Sequence, residues 1–477
     1  MDKVRTRFAP SPTGFMHIGN LRTGLYAYLF AKKNGGDFVL RIEDTDQARY
    51  VDGAVQVIYN TLKTAGIDYD EGPDKGKGFG PYIQSERKSL YLKYAMELVE
   101  RGGAYYCFCD KERLDSLADS NGVRKYDKHC LRLSKAEIED RLKSGQSYVI
   151  RQNIPAEGEG SYVDMVYGKV TVPYHDMEDC ILIKSDGMPT YNFANVVDDH
   201  LMQISHVIRG NEYLSSTPQY NLLYDSFGWE RPTYMHLAPI MKDETRKLSK
   251  RYGDANFEDF IQKGYLPEAI VNYIALLGWC PKDNREKMTM SEMIEAFDVD
   301  GISISSSIFD EVKMRWLNGE YIKELSDEKF YKLSLPYFKK GISSKYDYRK
   351  IAPLLKTRVD ILSDVEHKTD FLAQFGEYDK NIFITKRMPD LAIANASVSA
   401  ALIALKNLDD WSVDSIRDCL SACAEAHGIK NGHMVSNVRV AITGTEVTPG
   451  GAFEMADILG KEETIKRLEF SKSLLEK

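Results

Sequence analysis

The sequence predicts an α/β protein that begins with a parallel β-sheet, carries an inserted α+β segment and ends in an all-α region. Two observations lead to this fold class. The first fifty residues follow a strand–helix–strand pattern, and beyond about residue 325 apolar residues recur at helical spacing while strand signals almost vanish. The βαβ opening is typical of a doubly wound sheet, in which ligands bind beyond the carboxyl ends of the strands.

The prediction of the first βαβ unit depends on one apolar helix face and on two positions at which proline or glycine ends a strand or a helix. Val4 to Phe8 is a short β-like run, and the loop Pro10 to Gly14 ends it because proline offers no amide to a strand. Gly35 closes the helix that follows, and Phe38 opens the second strand. The apolar face of this helix has the spacing i, i+4, i+7 and i+8, at Leu21, Leu25, Tyr28 and Leu29.

Residues 86–190 differ in character and predict an insertion. They contain a cysteine-bearing loop and an alternating stretch from Tyr162 to Tyr174, which breaks at Gly168–Lys169 in the manner of a β-hairpin. Apolar strand signals return at Ile181 to Ile183 and again at Ile204 to Ile208. We expect the parallel sheet to resume at both runs.

The last third of the chain is expected to consist of helices. Ser412 fits an N-cap. The residues on one face of the helix that it begins are Ile416, Cys419, Leu420 and Cys423. A further helix is expected to close the chain, from Ala452 through Ile465 to Leu475.

The composition is that of a globular protein, and 477 residues predict about three domains. No stretch reaches the ~20 apolar residues of a membrane span, and Lys3, Arg5 and Arg7 stand where a signal peptide would be apolar. We therefore expect a cytoplasmic protein without a membrane partner. Seven cysteines without a repeating framework argue against a disulfide-stapled secreted fold. The net charge of −8 argues, by itself, mildly against a nucleic-acid partner.

Two short segments have the chemistry of a triphosphate site. His17 to Asn20 stands at the start of the first helix, where unpaired amides bind phosphate oxygens, Gly19 permits close approach and His17 can donate a hydrogen bond. Lys247 to Arg251, with the sequence KLSKR, offers three cations and a hydroxyl as a phosphate clamp. Taken singly, such segments are more often a capped helix and a solvated loop.

Together with RFAPSPTG at Arg7 to Gly14, these segments resemble the two signature motifs of class I aminoacyl-tRNA synthetases. The chain continues with RIEDTD, DGMPTYNFANVVDDH, IRGNEYL, YIALLGWCP and FDEVKMRWLNGEYI, and it is very similar to bacterial-type glutamyl-tRNA synthetases over essentially its full length. The resemblance implies a Rossmann-type catalytic domain with an insertion, followed by a helical anticodon-binding region. RFAPSPTG and the helical C-terminal region distinguish the chain from glutaminyl and archaeal-type relatives.

The resemblance also implies a division into five parts. The catalytic domain comes in two halves that flank an acceptor-binding insertion, and a stem-contact region and an anticodon-binding region follow. Their ranges are 1–85 and 191–250 for the catalytic halves, 86–190 for the insertion, 251–325 for the stem-contact region and 326–477 for the anticodon-binding region.

The implied reaction joins L-glutamate to tRNA(Glu). Glutamate attacks the α-phosphate of ATP, which brings Mg²⁺, and the glutamyl group of the adenylate then passes to the tRNA 3′ end. This chemistry needs positioning and charge stabilisation rather than a covalent nucleophile. The residues assigned to catalysis by the resemblance are His17, Gly19, Lys247 and Lys250. The ATP-binding set adds Asn20, Ser249 and Arg251.

The glutamate pocket implied by the resemblance consists of Arg7, Ser11, Glu43, Tyr191, Asn195 and Arg209. Arg7 and Arg209 would face the carboxylates, and Glu43 the α-ammonium group. An arginine that glutamine leaves without its counter-charge costs roughly 3–5 kcal/mol, so charge alone rejects glutamine without an editing site. The structural alternative is that Arg41 and Glu43, which alternate along a strand end, pair with surface partners and that Tyr191 is part of the core.

A structural zinc site is implied at Cys107, Cys109, Tyr126 and Cys130. Three thiolates with one nitrogen or oxygen make a tetrahedral zinc set. The family often has a histidine or acidic residue where this chain has Arg132, so the fourth ligand would be Tyr126 or His129. The alternative is a group of reduced, partly buried cysteines without a metal.

Arg358, in the segment LLKTRV, resembles a position that in some relatives inspects the third anticodon base. The alternative is that Lys356 and Arg358 belong to a solvated helix face. We expect a monomer whose cations are concentrated on the tRNA-facing surface, so that tRNA binding weakens as salt rises despite the acidic total.

Two other functions stay open. A non-discriminating enzyme would also charge tRNA(Gln) with glutamate. A catalytically inactive, synthetase-like protein would only bind tRNA, but it would be expected to lose the phosphate-handling residues, which are all present.

Overall fold

Two short parallel strands joined by a helix form the start of the chain, as the sequence predicts. Strand β1 (Arg5–Phe8) pairs in parallel with β2 (Asp37–Leu40), and α1 (Ile18–Lys33) connects them. Leu21 and Leu25, on the predicted apolar face of α1, are fully buried. These coordinates are a computed structural model, which describes residues 3–46, 49–118, 125–249, 255–385 and 390–477.

The chain divides into two compact units, Met1–Ile261 with Pro267–Glu311 and Gln262–Leu266 with Val312–Lys477. The other strands of the first unit are β3 (Ala104–Cys107), β4 (Val149–Gln152), β5 (Glu159–Asp164), β6 (Gly168–Pro173), β7 (Ile181–Ile183), β8 (His206–Gly210), β9 (Thr233–Leu237), β10 (Ile240–Met241) and β11 (Ser307–Ile308). The helices that follow α1 in this part of the chain are α2 (Ala54–Thr64), α3 (Lys88–Glu100), α4 (Lys111–Asp115), α5 (Lys135–Lys143), α6 (Tyr191–Leu201), α7 (Thr217–Phe227), α8 (Phe257–Gln262), α9 (Pro267–Leu276) and α10 (Met290–Ala296).

Parallel pairing resumes at β8, close to the predicted run at Ile204 to Ile208. β8 and β9 are in parallel register from the pair His206–Thr233 to the pair Gly210–Leu237. Ser205, just before β8, connects it to β1. The Ser205 amide donates to the Arg5 carbonyl at 2.9 Å, and the Arg5 amide donates to the Ser205 hydroxyl oxygen at 2.8 Å.

The other predicted continuation of the parallel sheet is wrong. β7, at Ile181 to Ile183, pairs antiparallel with β4, and β4 pairs antiparallel with β3. The three strands form a separate sheet, whose core includes Ile150 and Leu182. A three-residue apolar run does not specify its partner strand, because its periodicity is the same in either sheet.

The predicted hairpin is present, and its position differs from the expectation. Strands β5 and β6 pair from Glu159–Pro173 to Asp164–Gly168. In the sheet order β6-β5-β9-β8, however, the hairpin extends the parallel pair rather than the antiparallel sheet of β3, β4 and β7. One parallel pair, Asp164 with Tyr234, makes the junction between β5 and β9.

The second unit is helical, as predicted. Ser412 is the N-cap of its helix and accepts from the backbone amide of the third helical residue, and Ile416 and Leu420 are fully buried. The helices of this region are α11 (Glu311–Glu324), α12 (Asp327–Gly341), α13 (Tyr348–Leu355), α14 (Asp364–Ala373), α15 (Leu391–Lys406), α16 (Val413–Ala426), α17 (Asn431–Thr443), α18 (Ala452–Leu459) and α19 (Lys461–Glu476). No helix in the described ranges is long and apolar enough to cross a membrane.

The single helix expected from Ala452 to Leu475 is two helices, and Gly460 separates α18 from α19. Gly460 has φ +78° and ψ 164°, a backbone conformation that is essentially restricted to glycine. The apolar spacing continues through the break, and for that reason the periodicity alone predicted one helix.

A buried ion network connects β1, the end of β2 and α6. Asp199 in α6 accepts from Arg7 (Nε to Oδ1, 3.2 Å) and from Arg41 (Nη1 to Oδ1, 2.7 Å). Arg41 also donates to Glu43, with 2.8 Å between Nη2 and Oε1. Burial favours the neutral form of Asp199, but Arg7 and Arg41 outweigh it and lower the pKa of this carboxyl group. Asp199 is therefore ionised and holds two arginines at once.

We expect Asp199→Asn to lower the free energy of unfolding by about 3–5 kcal/mol, because it leaves two buried guanidinium groups without their shared counter-charge. Urea denaturation of the full chain, followed by tryptophan fluorescence, measures the loss. The matched control is Asp225→Asn, which breaks a half-exposed ion pair with Arg231 and should cost about 0–1 kcal/mol. Equal effects of the two substitutions would contradict the importance given to the buried network.

We expect Gly460→Ala to lower the free energy of unfolding by about 1–3 kcal/mol, because alanine is strained at this φ and ψ. Gly432→Ala is the matched control. Gly432 lies in the first turn of α17 with open space around its Cα, so alanine should be neutral or stabilise by up to about 1 kcal/mol. Unfolding followed by circular dichroism distinguishes the two variants. An unchanged free energy of unfolding in Gly460→Ala would contradict the backbone strain expected for alanine at this position.

Candidate functional site

A cavity of about 410 Å³ lies in the first unit, beyond the carboxyl ends of β1, β8 and β9 and beside the N-terminus of α1. This is the location that the doubly wound sheet predicts. The sequence-predicted residues that line it are Arg7, Ser11, His17, Gly19, Asn20, Glu43, Tyr191, Arg209 and Lys247. Residues separated by more than 200 positions therefore meet in one cavity.

His17 is the N-cap of α1, and its side chain has a defined orientation. The ring Nδ1 accepts from the Gly19 amide at 3.0 Å. In the neutral ring the proton is then on Nε2, which is the donor nitrogen of this tautomer. The helix start is held in turn by the segment after KLSKR, since the Ile18 amide donates to the Ala255 carbonyl at 2.8 Å.

Lys247 lines the cavity at the end of a short backbone ladder. It forms an antiparallel bridge with Met241, and the Leu248 amide donates to the Ile240 carbonyl at 3.1 Å. Ser249 follows but does not belong to the described lining. Lys250 and Arg251, the other two cations of the predicted clamp, lie outside the described residues.

Arg7 and Glu43 reach the cavity from the buried ion network. Both are almost completely buried and already have a charged partner, Asp199 for Arg7 and Arg41 for Glu43. Burial raises the pKa of the Glu43 carboxyl group, and Arg41 partly offsets this effect. Glu43 therefore pairs with the buried Arg41 rather than with a surface partner, and it also lies on the cavity wall.

Arg209 differs from Arg7, because its hydrogen-bond partners are neutral. Its Nε donates to His236 Nε2 at 3.1 Å and its Nη2 donates to Thr217 Oγ1 at 2.6 Å. The guanidinium carbon lies 4.8 and 4.7 Å from the ring centres of Tyr213 and Tyr220. Within the described ranges no carboxylate forms an ion pair with this buried cation, so it has the chemistry to bind an incoming carboxylate.

The other predicted glutamate residues occupy two kinds of position. Ser11 and Tyr191 line the cavity, and the Tyr191 ring centre lies 5.7 Å from that of Tyr213. Asn195 lies one turn further along α6, is buried and donates to the Tyr191 carbonyl at 2.7 Å. Asn195 is outside the described lining, so its role in glutamate binding stays a prediction.

Five charged or aromatic residues of the lining were not predicted as site residues from the sequence: Phe8, Arg22, Arg49, Glu212 and Tyr213. Glu212 and Tyr213 follow soon after the carboxyl end of β8, so the rule that ligands bind beyond the carboxyl ends of parallel strands could have found them. Arg22 is buried, donates to the Leu277 carbonyl at 2.7 Å, and has its pKa lowered by burial. Its partner is far along the chain, and no local signal indicated it.

Cys107, Cys109 and Cys130 form a compact group whose sulfur atoms lie within 4.8 Å of one another. Cys109 and Cys130 are 3.6 Å apart, and the Tyr126 hydroxyl lies 3.3 Å from Cys107 and 3.5 Å from Cys109. A hydrogen bond with Cys130 lowers the pKa of the Cys107 thiol to about 4. Burial raises the pKa of the Tyr126 phenol. His129 is exposed and does not belong to the group.

In the second unit, Arg358 is exposed just after α13. Lys356 has a structural role there, since its ammonium group donates to the Leu325 carbonyl at 3.1 Å. Arg439 in α17 is close enough that Arg358, together with burial, lowers its pKa. Lys356 is therefore held by a hydrogen bond within the unit, whereas Arg358 is available on the surface.

The sequence matches two known protein families. Residues 3–316 match the family described as tRNA synthetases class I (E and Q), catalytic domain, and residues 329–471 match the family described as anticodon binding domain. The two matches cover nearly the whole chain, and they confirm the resemblance on which the site assignment was based.

Individual relatives agree with these families. Glutamate–tRNA ligases of Clostridium kluyveri and Clostridium botulinum are each 54% identical, and the alignments cover 98% and 99% of both chains. A crystal structure of a glutamate tRNA ligase from Elizabethkingia meningosepticum, in complex with its amino acid, has a TM-score of 0.88 at 33% identity and covers 99% of this chain and 100% of that one. The chain therefore belongs to the glutamate–tRNA ligase family of class I tRNA synthetases.

Proposed function

We propose that this chain attaches L-glutamate to tRNA(Glu), forming glutamyl-adenylate from glutamate and ATP before transfer to the tRNA 3′ end. The observation that carries this function is one cavity with two complementary halves. His17, Gly19 and Lys247 line this cavity and would form a phosphate-binding half, and Arg7 and Arg209 line it and would form a carboxylate-binding half. No observation favours a non-discriminating enzyme or an inactive tRNA-binding protein.

The phosphate half would act by electrostatic stabilisation. The Nε2–H of His17, oriented by the bond between Nδ1 and the Gly19 amide, would donate to a phosphate oxygen as negative charge develops on it. Lys247, which lines the same cavity, would add a positive charge, and we propose that Lys250 and Arg251 of the same motif contribute further charge. The adenine and ribose would lie against Gly19 and Asn20.

Mg²⁺ would enter with ATP. The carboxylates of the described lining are Glu43, which Arg41 already occupies, and Glu212, which is exposed. A site with so few available carboxylates fits an ion held mainly by phosphate oxygens, as is usual for Mg²⁺ with nucleotides. When bound, the ion supplies positive charge at the phosphates.

The carboxylate half would select glutamate by charge. Arg209 has neutral partners and would bind one substrate carboxylate, whereas Arg7 is held by Asp199 and would orient the other. Glu43 would face the α-ammonium group. Glutamine would leave a buried cation unpaired at a cost of roughly 3–5 kcal/mol, which corresponds to about two to more than three powers of ten in selectivity.

ATP–pyrophosphate exchange with glutamate, in the presence and absence of tRNA, tests the first step. Exchange by folded protein is the expected result, and its absence under both conditions would favour a protein that only binds tRNA. Aminoacylation of purified tRNA(Glu) and tRNA(Gln) with labelled glutamate tests the second step. Charging of both tRNAs would identify a non-discriminating enzyme.

We expect His17→Asn to lower kcat for exchange by a factor on the order of 10²–10³, because asparagine keeps an N-cap acceptor but lacks the Nε2 donor. The free energy of unfolding should change by less than about 0.5 kcal/mol. His175→Asn is the matched control, since His175 is an exposed histidine of the same unit. An equal loss of stability and activity in His17→Asn would mean that capping alone explains the residue.

We also propose a structural zinc ion on Cys107, Cys109 and Cys130, with Tyr126 as the nearest oxygen. Four ligands about 2.3 Å from zinc place tetrahedral sulfurs about 3.8 Å apart, close to the 3.6 Å between Cys109 and Cys130. Zinc, when bound, would connect β3 to the segment around Cys130. Tyr126 fits less well, because the raised pKa of its phenol disfavours the phenolate.

We expect about one zinc ion per purified chain, measured by elemental analysis, and loss of this zinc in Cys109→Ser. His129→Ala is the control for the alternative fourth ligand, and it should retain the metal because His129 is exposed and apart from the cysteines. Removal of zinc by a chelator should lower the melting temperature. Protein without zinc that melts at the same temperature after zinc is added would contradict the site.

The tRNA would contact the chain along the five-part division, with residues 86–190 at the acceptor end, 251–325 at the stem and 326–477 at the anticodon. The match to the catalytic-domain family ends at residue 316, and the match to the anticodon-binding family begins at residue 329. These bounds support the separation of catalytic and anticodon regions. Arg358, exposed near Arg439, would read an anticodon base. We propose a cytoplasmic monomer, and seven free cysteines support a reducing compartment.

A further inference from the structure

Behind Arg209, a chain of polar side chains leads away from the cavity into the core. His236 in β9 is fully buried, and its Nε2 accepts from Arg209 Nε at 3.1 Å. Its other nitrogen, Nδ1, lies 2.6 Å from Asp164 Oδ2, at the end of β5. The order Asp164–His236–Arg209 therefore joins a buried carboxylate to the cation that lines the cavity.

The Asp164 carboxylate determines the tautomer of His236. Its Oδ1 accepts from the amides of Val166 and Tyr167, each at 2.9 Å, so Asp164 is a fixed acceptor. An acceptor opposite Nδ1 requires the His236 proton to be on Nδ1. Nε2 then carries a lone pair, which accepts the hydrogen bond from Arg209 Nε. Burial, the largest influence, lowers the pKa of His236 and keeps the ring neutral.

These contacts leave one edge of Arg209 for a ligand. Nε is held by His236, Nη2 is held by Thr217, and no residue in the described part of the chain accepts from Nη1. The rings of Tyr213 and Tyr220 limit rotation of the guanidinium plane. A rotation that brought another edge toward the cavity would break the bond to His236.

We propose that Asp164 and His236 are positioning residues, which hold Arg209 toward the cavity and thereby set the preference for glutamate over its amide analogue glutamine. This inference rests on the proposed role of Arg209 in binding the substrate carboxylate. Neither residue touches the substrate cavity, since both are absent from its described lining. Their effect passes through His236 Nε2, which accepts from Arg209 Nε and also lies 3.3 Å from the Thr217 hydroxyl that holds Arg209 Nη2.

Asp164→Asn tests the tautomer. An amide nitrogen opposite Nδ1 favours the proton on Nε2, which then faces the Arg209 Nε–H with a second donor. We expect the KM for glutamate to rise about tenfold, while kcat changes by less than about twofold and the KM for ATP is unchanged. The ratio of kcat/KM for glutamate to that for glutamine should fall by about tenfold.

His236→Gln supplies the rescue. Its amide oxygen can accept from Arg209 Nε without any tautomer, so the KM for glutamate should rise by no more than about threefold, whereas His236→Leu should raise it by about tenfold or more. In the His236→Gln background, Asp164→Asn should add less than about twofold. This non-additivity is specific to an effect that passes through the imidazole.

Asp179→Asn is the matched control for loss of a buried carboxylate. Asp179 is buried outside the cavity and accepts from the Ile154 amide at 3.1 Å and from Lys128 at 2.8 Å. It should lower the melting temperature without changing the KM for glutamate. The inference is overturned if Asp164→Asn behaves like Asp179→Asn. It is also overturned if the effects of Asp164→Asn and His236→Gln on the KM for glutamate are additive in the double variant.

The wild-type protein separates this inference from the proposed function. If wild-type protein shows no exchange with glutamate, ATP and tRNA, the proposed function fails before any variant is compared. If wild-type protein exchanges glutamate and the Asp164 and His236 variants change only kcat or only stability, the function stands and the positioning role fails.

Discussion

Asp199 holds Arg7 and Arg41 at the same time, and the geometry of the cavity depends on this shared counter-charge. Through Arg41 the network reaches Glu43, so four buried charges of alternating sign connect the first strand, the end of the second strand and α6. Each charge would be costly alone in the interior. Because they neutralise one another, two of them can stand at the wall of a substrate cavity with their positions fixed before a ligand arrives.

The two arginines of the proposed carboxylate-binding half, Arg7 and Arg209, illustrate different uses of a buried cation. Arg7 already has a carboxylate partner, so it contributes orientation more than unbalanced charge. Arg209 is held by an imidazole, a hydroxyl and aromatic rings, which fix its position without neutralising it. A site that must prefer a carboxylate to an amide of the same shape needs one cation of the second kind.

The hairpin β5–β6 has a larger part in the site than its sequence position indicated. It joins the parallel strands through one residue pair, Asp164 with Tyr234, and it brings Asp164 behind His236. The parallel strands thus supply the cavity wall, and the antiparallel hairpin β5–β6 supplies Asp164, which contacts His236 behind that wall. Under the proposed role of Arg209, substrate selectivity would then depend on Asp164, which lies more than 40 residues before Arg209 in sequence.

The sequence by itself determined the βαβ opening, the helical C-terminal region, the family and nine residues of the cavity lining, because local spacing and contiguous motifs carry that information. It did not determine the partner strand of Ile181 to Ile183 or the break at Gly460, since the same apolar spacing fits either sheet and either helix length. It also did not determine that Asn195 lies outside the described cavity lining. Only the tertiary structure decided which arginine has a counter-charge and which does not. Asp199, Thr217 and His236 contact these arginines across 8 to 192 positions, and such contacts are fixed by packing rather than by any local pattern.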